Sequence, residues 1–219
     1  MRRALPALLC IAAFPSLAAA DATPASALVE RIQKSYDGLK SLHASFDQEL
    51  SDGLGGKPKK ATGVLWLKKP GRMRWEYQKP EPKLMVADGQ ALWVYEPEDE
   101  QAFRTKLSTF QLPSAVTFLF GEGKLADEFE IARASDDEGK GLAGAGESVL
   151  KLVPRKASTH YRYLLFVVDE KTAMVTGTVI FDQSGHRNRM SFRDVTRDAP
   201  APDDKFKFTP PVGTRILRQ

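Results

Sequence analysis

An alternation of apolar and polar residues between positions 63 and 101 constrains the fold of this chain more than any other feature of the sequence. In its clearest stretch, large apolar side chains alternate with charged ones: Arg72, Met73, Arg74, Trp75, Glu76 and Tyr77. Successive side chains of a β-strand point to opposite faces of the sheet. The pattern therefore predicts strands of an antiparallel sheet that has one apolar face and one charged face.

The first twenty residues have the composition of a cleaved secretory signal. Two arginines precede an apolar run, and the run ends in three alanines. The run contains two prolines and is shorter than the roughly 20 residues that a membrane helix requires. We therefore expect residues 1–20 to be a signal peptide that is cleaved near Ala20. Residues 21–219 should then form a single exported domain.

Charge and cysteine content exclude several classes of function. The formal charge of +4 at pH 7 falls to +2 when the two signal arginines are removed, because the signal contains no acid. Acidic and basic residues are interspersed along the chain, which is typical of a solvated surface. The sole cysteine, Cys10, lies in the signal. The mature chain therefore has no disulfide, thiolate ligand or cysteine nucleophile.

Two helices are predicted from spacing and start signals. Thr23-Pro24 is typical of a helix start, and apolar residues then recur at helical spacing at Leu28, Ile32, Tyr36 and Leu39. A short second helix is predicted between residues 112 and 120, where Pro113 can begin it. Each of these helices presents an apolar side, so each should cover another part of the fold.

The rest of the chain is predicted to consist of strands. Apolar or alternating runs cover residues 42–50, 61–69, 72–78, 83–87, 91–95, 100–105, 127–134, 148–153, 161–169, 174–182 and 187–196. An antiparallel sheet of this size usually curls or closes. We therefore expect a mainly β fold with a single, strongly curved sheet of about eleven strands and two or three helices. Side chains could fill its interior, or helices could cover an apolar cavity.

No motif for catalysis, metal binding or a cofactor is convincing in this sequence. Gly139, Gly141 and Gly144 have dinucleotide-binding spacing, but neither the preceding strand nor the following helix is predicted. The same loop places carboxylates at EF-hand offsets, but Lys140 occupies a ligand position. Histidines without partners at metal-ligand spacing are His43, His160 and His186. We therefore expect no enzyme activity, no cofactor and no metal ion.

The aromatic residues of the alternating segment are candidates for a binding surface: Trp66, Trp75, Tyr77, Trp93 and Tyr95. With nearby lysines they could stack on nucleic-acid bases, but neighbouring acids such as Glu76 and Glu96 would repel phosphate. We therefore expect no nucleic-acid partner. The residues alone leave open whether the aromatics form an ordinary core or line a ligand cavity.

A family resemblance rests on four segments in consistent order: residues 43–46 (HASF) with Gln48, residues 69–75, residues 88–101 and residues 206–213 (FKFTPPVG). At these positions the chain resembles LolA, the family of periplasmic outer-membrane lipoprotein carriers in Gram-negative bacteria. The resemblance covers nearly all of the mature chain. It implies an unclosed β-barrel of about eleven strands, with a lid of helices over an apolar concave face that holds acyl chains.

The resemblance also implies a function and a set of partners. A carrier of this family is located in the periplasm and has no catalytic residues. Its cargo would be lipidated outer-membrane lipoproteins, received from an inner-membrane ABC transporter, and a receptor lipoprotein at the outer membrane is a further candidate partner. We expect the protein to be a monomer. The alternative function is a periplasmic sensor or scaffold that binds a lipid or protein signal with the same half-barrel fold.

The residues expected to form the acyl-chain cavity combine the apolar pattern with this resemblance: Ile32, Tyr36, Phe46, Trp75, Trp93, Leu119, Phe166, Ile180 and Phe192. Lys69 stands where the family commonly has arginine, and we expect it to hold the lid in the empty protein until cargo breaks the contact. Because lysine makes fewer directed hydrogen bonds than arginine, this lid should be held less firmly. Met73 takes the place of an aromatic residue implied to contact partners.

Overall fold

Helix α1 (Ala25–Asp37) is the first element of the computed structural model, which describes residues 24–53, 55–107, 118 and 123–218. The helix follows Pro24 and ends before Gly38. Its apolar side is buried, as the spacing predicted. The buried residues are Leu28, Val29, Ile32 and Tyr36. Leu39 is also buried but lies beyond the end of the helix. The predicted signal peptide and the predicted cap at Thr23 lie outside the described residues.

Twelve strands form one sheet in the described part of the chain. They are β1 (Ser41–Ser51), β2 (Lys59–Lys68), β3 (Arg72–Lys79), β4 (Lys83–Asp88), β5 (Ala91–Glu96), β6 (Gln101–Lys106), β7 (Phe129–Arg133), β8 (Glu147–Pro154), β9 (Tyr163–Asp169), β10 (Met174–Phe181), β11 (Arg187–Arg197) and β12 (Arg215–Arg218). Their order in the sheet is β12, β6, β5, β4, β3, β2, β1, β11, β10, β9, β8 and β7.

The sheet is antiparallel except at one edge, where β12 pairs with β6 in parallel. Strands β12 and β7 form the two edges and do not pair with each other, so the curved sheet stays open. The predicted fold class, a single curved sheet in an unclosed barrel, is confirmed. All eleven predicted strands are present, and β12 is an additional strand.

Short helices are the elements that the sequence pattern missed: α2 (Leu125–Glu128), α3 (Asp136–Gly139) and a 3-10 helix, Asp203–Phe206. Helix α3 lies in the glycine-rich loop and begins with a capping box between Ser135 and Glu138. The predicted helix between residues 112 and 120 lies outside the described residues, apart from Phe118, which is helical. No helix in the described ranges is long and apolar enough to cross a membrane.

The two faces of the sheet carry different cores. We call the face beneath α1 the concave face, and along β1 it carries Leu42, Ala44 and Phe46. The opposite, convex face is covered in part by the 3-10 helix and by the chain that follows it. There Phe206 is buried, and the ring of Phe208 lies 5.6 Å from that of Trp93. A large aromatic residue in this protein can therefore face either core.

Candidate functional site beneath helix α1

Helix α1 fills one end of the concave face with its own apolar side chains. Leu28 and Ile32 are 0% exposed and Tyr36 is 1% exposed. The ring of Tyr36 contacts that of Phe118, with 4.9 Å between their centroids. A cavity of only about 20 Å³ remains beside Tyr36. In this conformation, the helix occupies the apolar surface that a ligand would need.

Two cationic side chains hold the last turn of α1. Lys69, in the loop after β2, donates from Nζ to the carbonyl oxygens of Tyr36 at 2.5 Å and Asp37 at 3.4 Å. Arg197, at the end of β11, donates to the hydroxyl of Ser35 at 2.9 Å and to its carbonyl oxygen at 3.1 Å. Carbonyls of a last helical turn lack partners within the helix, and cations there interact favourably with the helix dipole.

Further polar contacts tie the middle of α1 to its neighbours. Arg31 donates to the carbonyl oxygens of Glu170 at 2.6 Å and Lys171 at 3.1 Å, in the turn after β9. The side-chain oxygen of Gln33 accepts a hydrogen bond of 3.1 Å from the backbone N–H of Leu125. Except for the Tyr36 carbonyl contact and the Gln33 contact, which are partly buried, these bonds are exposed. Water can therefore replace most of them if the helix moves.

The phenol of Tyr36 makes the deepest polar contact of α1. Its oxygen accepts a hydrogen bond of 3.2 Å from the backbone N–H of Val175. This N–H lies next to an irregularity in the pairing of β9 and β10, between Val175 and Gly177. Tyr36 therefore both fills the apolar face and satisfies a backbone donor of the sheet, which stabilises α1 in the position that it occupies here.

Alkaline pH is expected to lower the stability of the folded protein because the phenol of Tyr36 is buried. Burial raises its pKa from 10.0 to about 12, against the lowering effects of the Val175 hydrogen bond and of Arg197. Between these values the unfolded chain has lost the proton that the folded protein keeps, so the free energy of unfolding should fall by about 2 to 3 kcal/mol as pH rises. Urea unfolding of the wild type and of Tyr36→Phe, at about pH 8 and about pH 12, measures the part of the stability loss that ionisation of Tyr36 causes. An equal loss in both proteins would contradict it.

The opposite end of the sheet is open. Two grooves of about 500 Å³ and about 720 Å³ meet there and share Leu50, Lys59 and Asn188 as lining residues. Leu50 is 42% exposed at their junction. Both volumes lie in the range of small-molecule sites. The concave face thus changes from a filled end beneath α1 to an open end with an apolar side chain at its mouth.

A short polar row separates the filled end from the open end. The side-chain nitrogen of Gln48 donates to the amide oxygen of Asn188 at 2.9 Å, and Gln48 is 7% exposed. Tyr77 is hydrogen-bonded to Gln48, and burial nevertheless raises the pKa of Tyr77. We call Gln48, Tyr77 and Asn188 the polar row. Together they border the 720 Å³ groove.

Most residues predicted to contact acyl chains lie in or against the core of the concave face: Ile32, Tyr36, Phe46, Trp75, Phe166, Ile180 and Phe192. They come from α1 and from five separate strands, and the fold brings them together on one side of the sheet. Leu119 lies outside the described residues. Lys69 contacts the carbonyl end of α1, and its action as a latch stays a prediction.

Two predicted site residues need correction. Met73 is 1% exposed and belongs to the core beneath α1, so a partner cannot contact it in this conformation. Trp93 lies on the convex face, because its neighbours Leu92 and Val94 take the concave positions of β5. It packs against Phe208, and the alternation with Leu92 was the signal that could have shown this.

Replacement of Trp93 tests whether the convex face contributes to stability without contributing to ligand binding. Trp93→Ala is expected to lower the free energy of unfolding by about 1 to 3 kcal/mol, because it removes a ring from the convex core. Affinity for an acylated ligand should not change. Phe166→Ala, on the concave face, is the matched comparison and should weaken ligand binding. Chemical denaturation and ligand titration of both variants provide the test, and a loss of affinity in Trp93→Ala would contradict the assignment.

Arg197 and Arg31, which hold α1 in addition to Lys69, are functional candidates that the sequence did not reveal. Arg197 and its partner Ser35 are 162 positions apart, and Arg31 and Glu170 are 139 apart. No local pattern marks such pairs, because only the folded sheet brings them together. Within the described ranges, no histidine, cysteine and carboxylate side chains lie together in a group that could hold a metal ion.

A concave apolar face beneath a helix, with an open groove beside it, is typical of a protein that binds an apolar ligand. A solved structure of an uncharacterized conserved protein from Thermus thermophilus shares the fold at 12% identity, with a TM-score of 0.53. It covers 89% of this chain and 98% of that one. The sequence pattern of the family "Outer membrane lipoprotein carrier protein LolA" matches residues 37–209. The chain belongs to the LolA family.

Two relatives agree with this assignment over almost their whole length. An outer-membrane lipoprotein carrier protein of Methylibium petroleiphilum is 30% identical over 213 residues, which are 97% of this chain and 96% of that protein. A protein of the same description from Dechloromonas aromatica is 29% identical over 210 residues, or 95% and 93% of the two chains. The likeness therefore extends over the helix, the sheet and the C-terminal segment together.

Proposed function

We propose that this protein is a periplasmic carrier that binds the acyl chains of lipoproteins released from the inner membrane and delivers them to the outer membrane. The observation that carries the proposal is the concave face, whose apolar residues are covered by α1 and by no other described helix of comparable length. Family membership and the descriptions of the relatives support the same function.

The energetics of lipid transfer explain why a carrier needs a lid. Three sixteen-carbon chains contain about 45 methylene groups, and at about 0.8 kcal/mol each their exposure to water would cost on the order of 35 kcal/mol. Unassisted passage through an aqueous compartment is therefore excluded. Non-covalent affinity saturates near roughly 20 kcal/mol, and a carrier at that limit would release its cargo too slowly.

An exchange between α1 and cargo meets both requirements. In the empty protein, the concave face is covered by the helix residues Leu28, Ile32 and Tyr36, so no large apolar surface faces water there. Acyl chains that displace the helix recover this apolar contact and expose the helix instead. The net affinity for cargo is the difference between the free energy of acyl-chain binding and that of α1 packing on the same face. This difference is small enough for the cargo to be released on delivery.

The remaining parts of the proposal concern location and partners. Residues 1–20 would direct export and be removed near Ala20, and residues 21–219 would work as one monomeric domain. An inner-membrane ABC transporter would supply the lipidated cargo. A receptor lipoprotein at the outer membrane would accept it. The carrier needs no catalytic residue and no cofactor for these steps.

Native mass spectrometry of the protein, purified from a periplasm that also contains a tagged outer-membrane lipoprotein, tests the function. We expect a one-to-one complex when the cognate inner-membrane transporter is present. The matched control is the same tagged protein with its lipidated cysteine replaced, which should give no complex. Carrier protein that appears only in the free form would contradict the proposal. A stable complex with an unlipidated signalling protein would favour the sensor alternative.

A further inference from the structure

We propose that the concave face recognises the carbonyl group of an acyl ester or amide, and that the indole N–H of Trp75 donates the hydrogen bond. The inference rests on the proposed function, because it concerns the lipid of the same cargo. Trp75 was predicted from the sequence only as an apolar wall residue. The structure adds a polar role, since the indole nitrogen has no acceptor in the empty protein.

The indole nitrogen of Trp75 is unusual within the described residues. Its Nε1 atom is buried, and no hydrogen-bond partner reaches it. No other buried side-chain nitrogen or oxygen in the described ranges is left in this way. An unpaired buried donor is destabilising, and native proteins contain few of them. A donor kept in this position therefore indicates an acceptor that is present only in another state of the protein.

The surroundings of Trp75 narrow the identity of that acceptor. Its ring lies 5.4 Å from that of Phe46, and its strand partners on either side are Leu65 and Met85. This wall is apolar, so an ordinary polar ligand would bind it poorly. An acyl chain suits the wall, and the methylene groups of the chain offer no acceptor. The carbonyl at the head of the chain is the one strong acceptor that such a ligand brings.

The position of Trp75 along the sheet agrees with a carbonyl at this level. Tyr77 of the polar row follows Trp75 on the same face of β3, one step towards the open end. Gln48 likewise follows Phe46 on β1. The concave face therefore passes from apolar to polar side chains at this level. A lipid with its alkyl chain towards α1 and its polar head towards the groove would place the head carbonyl here.

Loading must expose the donor, because Nε1 is buried in the closed protein. The movement of α1 that admits acyl chains also rearranges the core against which Trp75 packs. The new hydrogen bond would then form only in the loaded state. It would favour cargo that carries an ester or amide over an equally apolar molecule without a carbonyl.

Two synthetic lipopeptides that differ in one linkage test the inference. One carries two ester-linked sixteen-carbon chains, and the other carries the same chains through ether linkages that lack carbonyl groups. The wild-type mature protein should bind the ester form about three- to tenfold more tightly, which is the usual net effect of one hydrogen bond. Trp75→Phe should bind both forms equally. Trp93→Phe, on the convex face, is the matched control and should retain the wild-type ratio.

A spectroscopic measurement on the wild type tests the same inference without a substitution, so it does not depend on whether a variant folds. The indole N–H resonance of Trp75 in a ¹H–¹⁵N spectrum should shift on addition of the ester form and should shift less with the ether form. Equal affinities for the two forms in the wild type would overturn the inference, as would a ratio that persists in Trp75→Phe. Failure of both lipopeptides to bind would contradict the proposed function itself.

Discussion

Removal of both cations at the end of α1 is expected to leave a carrier that loads normally but delivers slowly. In the double variant Lys69→Leu and Arg197→Leu, the carbonyls of Ser35 and Tyr36 lose their side-chain donors. Each cation contributes about 1 to 1.5 kcal/mol to the closed state, because exposed charge-assisted bonds are weakened by water. Loss of both cations should change the equilibrium constant between the closed and open positions of α1 by about 100-fold in favour of the open one.

The consequence for transport follows from the exchange between helix and cargo. In the proposed exchange, α1 must return to the concave face before cargo is released, so a less stable closed state retains cargo longer. Transfer of a fluorescent lipoprotein from the carrier to an acceptor membrane should slow by about the same 100-fold factor. Each single variant should show about a tenfold effect.

A matched pair of substitutions controls for the loss of two positive charges. Lys68 contacts the C-terminal segment through the carbonyl oxygen of Ala201, and Arg193 pairs with Asp47, so neither holds α1. The Lys68→Leu and Arg193→Leu double variant should deliver at the wild-type rate. Normal delivery by the Lys69 and Arg197 double variant would contradict the latch, and so would an equal defect in the control.

Gly63→Ala is expected to cause the largest loss of stability among single-methyl changes in the sheet. A Cβ atom at this position would lie 1.9 Å from the carbonyl oxygen of Glu76 and 2.8 Å from the ring of Phe46. The first contact is with backbone, which cannot move without breaking the pairing of β2 and β3. We expect a loss of at least about 4 kcal/mol in the free energy of unfolding.

Gly38→Ala is the matched control for this prediction. A Cβ atom there would meet no atom closer than the carbonyl oxygen of Lys34 at 3.7 Å, and the backbone has a helical φ of −76°. Its stability should stay within about 0.5 kcal/mol of the wild type. Urea unfolding compares the three proteins. A loss below about 1 kcal/mol in Gly63→Ala would show that the sheet can relax around the methyl group.

The strands were predictable because their signal is local. Period-two alternation and the turns between runs identified all eleven strands that cross the body of the sheet, whereas β12 has only four residues and pairs with β6 in parallel. The apolar side of α1 was equally visible in its spacing. These patterns depend on residues within one element, so no knowledge of the tertiary structure was needed.

The errors have a common physical cause, which is contact between distant parts of the chain. Trp93 was predicted to be concave from the apolar pattern combined with the family resemblance, and a one-residue difference in register exchanges the two faces. Phe206 and Phe208, from the segment after β11, form a second core on the convex face, and Trp93 packs against Phe208 there. The contact between Arg197 and Ser35 also joins distant parts of the chain, 162 positions apart, so no local pattern could predict it. It adds two hydrogen bonds to the lid, so the helix end does not depend on Lys69 alone.

The central claim is that acyl chains lie on the concave face, and photochemical crosslinking tests it most directly. A lipoprotein whose acyl chains carry a diazirine near the terminal methyl is bound to the carrier and irradiated, and the crosslinked residues are identified by mass spectrometry. We expect crosslinks to concave residues such as Phe46, Phe166 and Phe192. None should form to Trp93 or Tyr95, whose rings both pack against Phe208 on the convex face. Crosslinks confined to the convex face would contradict the claim.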